Sequence, residues 1–133
     1  MIDSSKVFEI LEKEGFEEVD EIGYKDDIKV FNFFYTFDEA EIEAAKDYAN
    51  ENYDEGEGED NWYNEFFLPY LTDIAGDNIK DIVDEICEEN GLTGEFVLYE
   101  IDRDNYEQCE VTLILGEGSK EIDVDRVLND LEL

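Results

Sequence analysis

Apolar residues along the chain recur at helical spacing in some stretches and alternate or run together in others. Val7, Phe8, Ile10 and Leu11 fall on one side of a first helix of about ten residues, capped by Asp3-Ser4-Ser5 and ended by Gly15. Residues 16–23 read as a weak, acidic strand, and Gly23-Tyr24-Lys25-Asp26-Asp27 as a turn. Residues 28–37, IKVFNFFYTF, carry β-branched and aromatic side chains on both faces, the pattern of a central strand covered on both sides. Asp38 starts the next helix, with Glu41 placed for a capping box. Ile42, Ala45, Tyr48 and Ala49 form its narrow apolar stripe through residue 52.

An acidic, glycine-containing hinge follows at about 53–61. Trp62, Phe66, Phe67, Tyr70 and Leu71 then return at helical spacing, and Pro69 must kink or restart that helix. A further helix runs from about Asp77 to Asn90, with Ile79, Ile82, Val83, Ile86 and Cys87 inward and Gly91 as its stop. Residues 95–101 and 108–115 alternate as strands joined by Asp102-Arg103-Asp104-Asn105-Tyr106. A last helix, about 123–131, turns Val124, Val127, Leu128 and Leu131 inward. The element order is α-β-β-α-(α)-α-β-β-α. It predicts an α+β domain spanning 1–133, with a mostly antiparallel four-stranded sheet carrying helices and the strands at 28–37 and 108–115 near its middle.

Charge changes this picture more than any motif. The chain has 41 Asp and Glu against 9 Lys and Arg, a formal charge of −32. Hydrophobic residues at 42%, with nine Phe and eight Tyr, still supply a core, so the chain does not read as disordered. Such a surface repels nucleic acid and anionic membrane, and it attracts basic surfaces and divalent cations. No run reaches the length of a membrane span, and MIDSSKVFEILEKEG has no basic-then-apolar signal pattern, so the expectation is a soluble cytoplasmic protein. Cys87 and Cys109 both fall on apolar faces and read as buried, reduced thiols.

Candidate chemistry is sparse. With no His, the usual general base near neutral pH is missing, and two Cys alone do not complete a zinc site. Ser4, Ser5 and Ser119 lie in no nucleophile-elbow pattern. Paired carboxylates could act as acid and base, but among 41 acids a close pair arises by chance. The expectation is a protein that is not an enzyme and has no cofactor. GEGSK at 116–120 has one residue between its glycines where a phosphate loop needs four, so it reads as a turn. A calcium loop started at Asp54 places Glu65 twelfth. Gly56 and Gly58 then occupy liganding positions, and Glu59 stands where the turn needs Gly. Started at Asp102, the twelfth residue is Leu113. Diffuse cation binding is expected, and no metal ligands are assigned.

The carboxylates make more sense as a surface. Residues 38–61 hold eleven acids and Lys46. On the helix at 77–90, Asp77, Asp81, Asp84, Glu85, Glu88 and Glu89 form i, i+3 and i, i+4 pairs with only Lys80 among them. Like charges at that spacing oppose stability, and they resemble the regular charge of a polyanion. The partner-binding residues expected are Asp47, Glu51, Asp54, Glu55, Glu57, Glu59, Asp60, Trp62, Tyr63, Asp81, Asp84, Glu85 and Glu88. Trp and Tyr are favoured interface anchors, and a partner's Arg can stack on their rings.

In composition and charge layout, though in no motif, the chain resembles the DNA-mimic inhibitors, such as anti-restriction and anti-CRISPR proteins. That resemblance implies an acidic binding protein that occupies the basic groove of a nucleic-acid-binding protein or nuclease and binds no nucleic acid itself. Two other readings fit the same charge: an immunity or antitoxin-like partner of a basic toxin, and a calcium-binding or salt-adapted acidic domain.

Overall fold

The computed structural model describes residues 4–25, 27–53, 56, 58–118 and 121–132. Asp3, Asp26, Asp54, Glu55, Glu57, Ser119 and Lys120 lie outside the described residues. The elements are α1 (Ser4–Lys13), β1 (Glu17–Lys25), β2 (Ile28–Thr36), α2 (Glu39–Asn52), a single turn α3 (Glu59–Asn61), a π-helical segment (Trp62–Phe67), α4 (Leu68–Asn90), β3 (Leu92–Leu98), β4 (Gln108–Glu117) and α5 (Val124–Leu131). This is an α+β fold. Its antiparallel sheet has the order β1-β2-β4-β3, so the two strands expected in the middle are there.

β2 and β4 pair without interruption from Ile28↔Gly116 to Thr36↔Gln108. Because side chains alternate, Phe31 and Phe33 of β2 and Cys109, Val111, Leu113 and Leu115 of β4 face one side. There they bury against Val7 and Leu11 of α1, Ala45 and Ala49 of α2, and Leu71, Ala75, Ile79, Val83 and Ile86 of α4. The opposite side has a smaller apolar cluster of Ile28, Val30 and Ile114 beneath Val127 of α5. Coverage on both faces, expected for all of 28–37, therefore holds only for the first half of β2. Further along, Asn32 Nδ2 donates to Glu110 Oε2 (3.0 Å) and Thr112 Oγ1 (3.3 Å), and the Tyr99 hydroxyl pairs with Thr112 Oγ1 (2.9 Å). A polar network takes the place of a helix there.

β1 is an edge strand and is irregular. Its register with β2 shifts between Glu17 and Asp20 and again between Ile22 and Lys25, and Glu18 takes φ 52°. Bulges and exposed carboxylates both blunt an edge against pairing with another chain.

The helix ends follow local chemistry. Asp38 accepts from the Glu41 N–H (2.8 Å) while Glu41 Oε1 accepts from the Asp38 N–H (3.1 Å), the reciprocal cap expected for α2. Ser4 lies inside α1, and its hydroxyl donates to Glu21 Oε2 on β1 (2.9 Å). Gly91 ends α4 at φ 65°, a conformation that favours glycine. Pro69, expected to kink or restart its helix, is the second residue of α4 and lacks an N–H. The preceding turns widen to π geometry, with the Leu68 N–H bonding the Tyr63 carbonyl. The wider turn makes room for the proline ring.

Candidate functional site

α2 and α4 lie side by side and antiparallel. Tyr48 stacks on Tyr70 (4.9 Å between ring centres, 30°), and at the other end Asn78 Nδ2 donates to Glu41 Oε2 (3.2 Å). Each helix turns its small and branched residues to the sheet and its carboxylates outward. On α4, Asp73, Asp77, Asp81, Asp84 and Glu88 are all exposed. At 100° per residue these five fall within a narrow sector opposite the buried Ala75, Ile79, Val83 and Ile86. The stripe runs for roughly 22 Å, about 6 Å of rise per charge, against 3.4 Å along one DNA strand. Asp47 and Glu51, with Glu43, are exposed on the outward side of α2.

The expected site residues therefore form two groups. Asp81, Asp84, Glu85 and Glu88 stand on the C-terminal half of α4. Asp47, Glu51, Glu59, Asp60, Trp62 and Tyr63 gather near its N-terminal end. The pairing of Tyr48 with Tyr70 sets these groups roughly 20 Å apart along the α4 axis. Asp54, Glu55 and Glu57 lie outside the described residues. The carboxylates that join the groups are Asp73 and Asp77. Asp73 escaped sequence reasoning because α4 was expected to begin at Asp77. Its four-residue spacing from Asp77 was the available signal.

The aromatic residues are less open than free anchors would be. Trp62 lies against the buried Phe67 ring (4.9 Å, 18°), and its Nε1–H donates to Asn50 Oδ1 of α2 (2.9 Å). Tyr63 meets Trp62 edge-on (4.8 Å) and Phe67 edge-on (5.7 Å), and Tyr106 also packs edge-on to Phe67 (4.9 Å). Phe67 is wholly buried, whereas Trp62 and Tyr63 are half-buried at its rim. The Arg103 guanidinium lies over the Tyr63 ring, 5.4 Å from its centre, and forms an ion pair with Asp60. Asp60 and Tyr63 thus already hold one cation from the β3–β4 connection.

Other chemistry is thin. An open groove of about 420 Å³ between the start of α4 and the residues after β3 is lined by Asn64, Leu68, Thr72, Asp73, Tyr99 and Glu100, among others. Cys87 and Cys109 are both reduced, and burial pushes the Cys109 thiol up to about 11, away from the reactive thiolate. Among the described residues, no three His, Cys, Asp or Glu side chains are grouped to hold a metal ion. Among them, too, no helix is long and apolar enough to cross a membrane. Comparison with protein-family models, with curated proteins and with solved structures gives no significant match.

Proposed function

We propose that this chain is an acidic binding protein that occupies the cationic groove of a nucleic-acid-binding protein or nuclease in place of its polyanion. The observation that carries the reading is the outward stripe of Asp73, Asp77, Asp81, Asp84 and Glu88 on α4. Five like charges in line on one rigid helix oppose stability, since i, i+4 like-charge pairs cost a few tenths of a kcal/mol each, roughly. Interleaved lysines would relieve that cost, and only Lys80 is present between them. A regular row of fixed anions suits a partner whose groove is spaced for phosphates. The same field speeds encounter with that partner, and α2 widens the face with Glu43, Asp47 and Glu51.

The test uses a panel of purified nucleases and DNA- or RNA-binding proteins, measured by calorimetry from about 50 to 200 mM salt. The expected result is at least one member that binds tightly at low salt, loses affinity steeply with salt, and is competed by its own nucleic acid. Replacing the stripe by Asp77→Asn, Asp81→Asn, Asp84→Asn and Glu88→Gln together should weaken that binding by roughly ten-fold or more. Binding indifferent to the stripe, or absent across the panel at low salt, would overturn the reading.

A further inference from the structure

We infer that Asp60 and Tyr63 form a guanidinium-binding site, filled by Arg103 in the free protein and taken over by an arginine of the partner. The inference rests on the binding role proposed above and adds the side chain that the aromatic end of the surface selects.

The site has the two parts that favour a guanidinium over an ammonium: an aromatic face and a carboxylate beside it. Arg103 uses both at once, over the Tyr63 ring at 5.4 Å and paired with Asp60. It is presented by a tight turn in which the Asn105 N–H bonds the Asp102 carbonyl (3.1 Å) and the Asp104 N–H bonds Asp102 Oδ1 (2.9 Å). Arg103 and Arg126 are the only arginines in the sequence. Both members of the pair stay open to solvent, at 43% for Arg103 and 83% for Asp60, so water screens the contact and competitors can reach it. A resident cation held this loosely shields the site from weak, non-specific cations and yields to an arginine anchored by contacts elsewhere. Tyr63 touches Trp62 edge-on at 4.8 Å, and Trp62 is the sole tryptophan, so its emission reports locally on the exchange.

The test compares arginine and lysine hexapeptides of equal charge, titrated by calorimetry and by Trp62 emission against the full chain. The variants are Arg103→Ala, and Arg103→Ala combined with either Tyr63→Leu or Asp60→Asn. Vacating the site should raise the preference for the arginine peptide by roughly three-fold over the native chain, the scale of one exposed cation–π contact. Either added substitution should abolish that gain. Asp60 is exposed, so its variant supplies the readout even if Tyr63→Leu disturbs packing. An arginine preference equal in native and Arg103→Ala chains, or one that survives Asp60→Asn, would overturn the inference. Because the α4 stripe variants leave this site intact, failure of the peptide preference and failure of salt-sensitive partner binding are read separately.

Discussion

Tyr35 joins three elements through one hydroxyl. It donates to Glu41 Oε2 of α2 (2.7 Å) and accepts from Asn78 Nδ2 of α4 (2.6 Å), while its ring packs edge-on to Phe37 (5.1 Å). Burial first, and then the hydrogen bond to the Glu41 carboxylate, push its ionisation well above the ordinary phenol range near 10. The unfolded chain therefore loses this proton before the folded one does. Stability from this group is intact below the unfolded value and falls as pH rises above it toward the folded value. Tyr35→Phe should reduce stability at neutral pH by about 1–2 kcal/mol and flatten its decline above about pH 10, as followed by urea unfolding at stepped pH. An unchanged alkaline slope would show that the hydroxyl does not carry it. The sequence made Glu41 legible as a cap because its partner is three residues away. Its second bond, to Tyr35, depends on how α2 lies on the sheet, which no local pattern encodes. Tyr48 shows the same limit. Its spacing placed it inward, yet it is 40% exposed, because Tyr70 holds it at the outer seam of the two helices.

Elements were read well where period and caps agreed. α2 begins at its expected cap, Asp38, α5 lies within the expected 123–131 with Asp123 as its cap, and β2 and β4 pair as the central strands. The misreadings lie where two signals compete. α4 was expected from Asp77 but starts at Leu68, since a proline that normally breaks a helix is tolerated here after a widened π turn. β3 was expected at 95–101 but spans Leu92–Leu98, because pairing with β4 carries on to Leu92↔Glu117. Tyr99 and Ile101 thus fall beyond the strand. Gly94 of β3 lies under α4, and a Cβ there would come within 2.8 Å of both Cys87 Sγ and Val83 Cγ1, and 3.2 Å from Leu115 Cδ2. Gly94→Ala must displace these side chains or the helix that carries them, and should cost about 1–3 kcal/mol in chemical denaturation. A loss under about 0.5 kcal/mol would mean that α4 gives way more easily than a packed core allows.

For the whole molecule, the amount of charge was plain in the sequence but its layout was not. The −32 total comes from composition, whereas the straight stripe appears only once α4 is known to run unbroken through Asp73 and Asp77. Self-repulsion at this level makes the folded state sensitive to screening. Raising sodium chloride from about 20 to 500 mM should lift the melting temperature by roughly 5 °C or more in calorimetry, and a flat or falling trend would contradict a surface dominated by like-charge repulsion.

The sheet's second side is apolar at one end and hydrophilic at the other, and only the apolar end has a roof. α5 is that roof, resting on Ile28, Val30 and Ile114 and tied to β1 by the Tyr24 hydroxyl on Asp130 (2.6 Å). None of these belongs to the large apolar cluster between the other helices and the sheet. Lifting α5 off would therefore wet only a handful of aliphatic groups and leave the three-helix side closed. The two sides of the sheet thus hold separate apolar clusters, and local opening of α5 should cost less than opening the larger one, which hydrogen exchange would show as faster exchange in α5 than in α4.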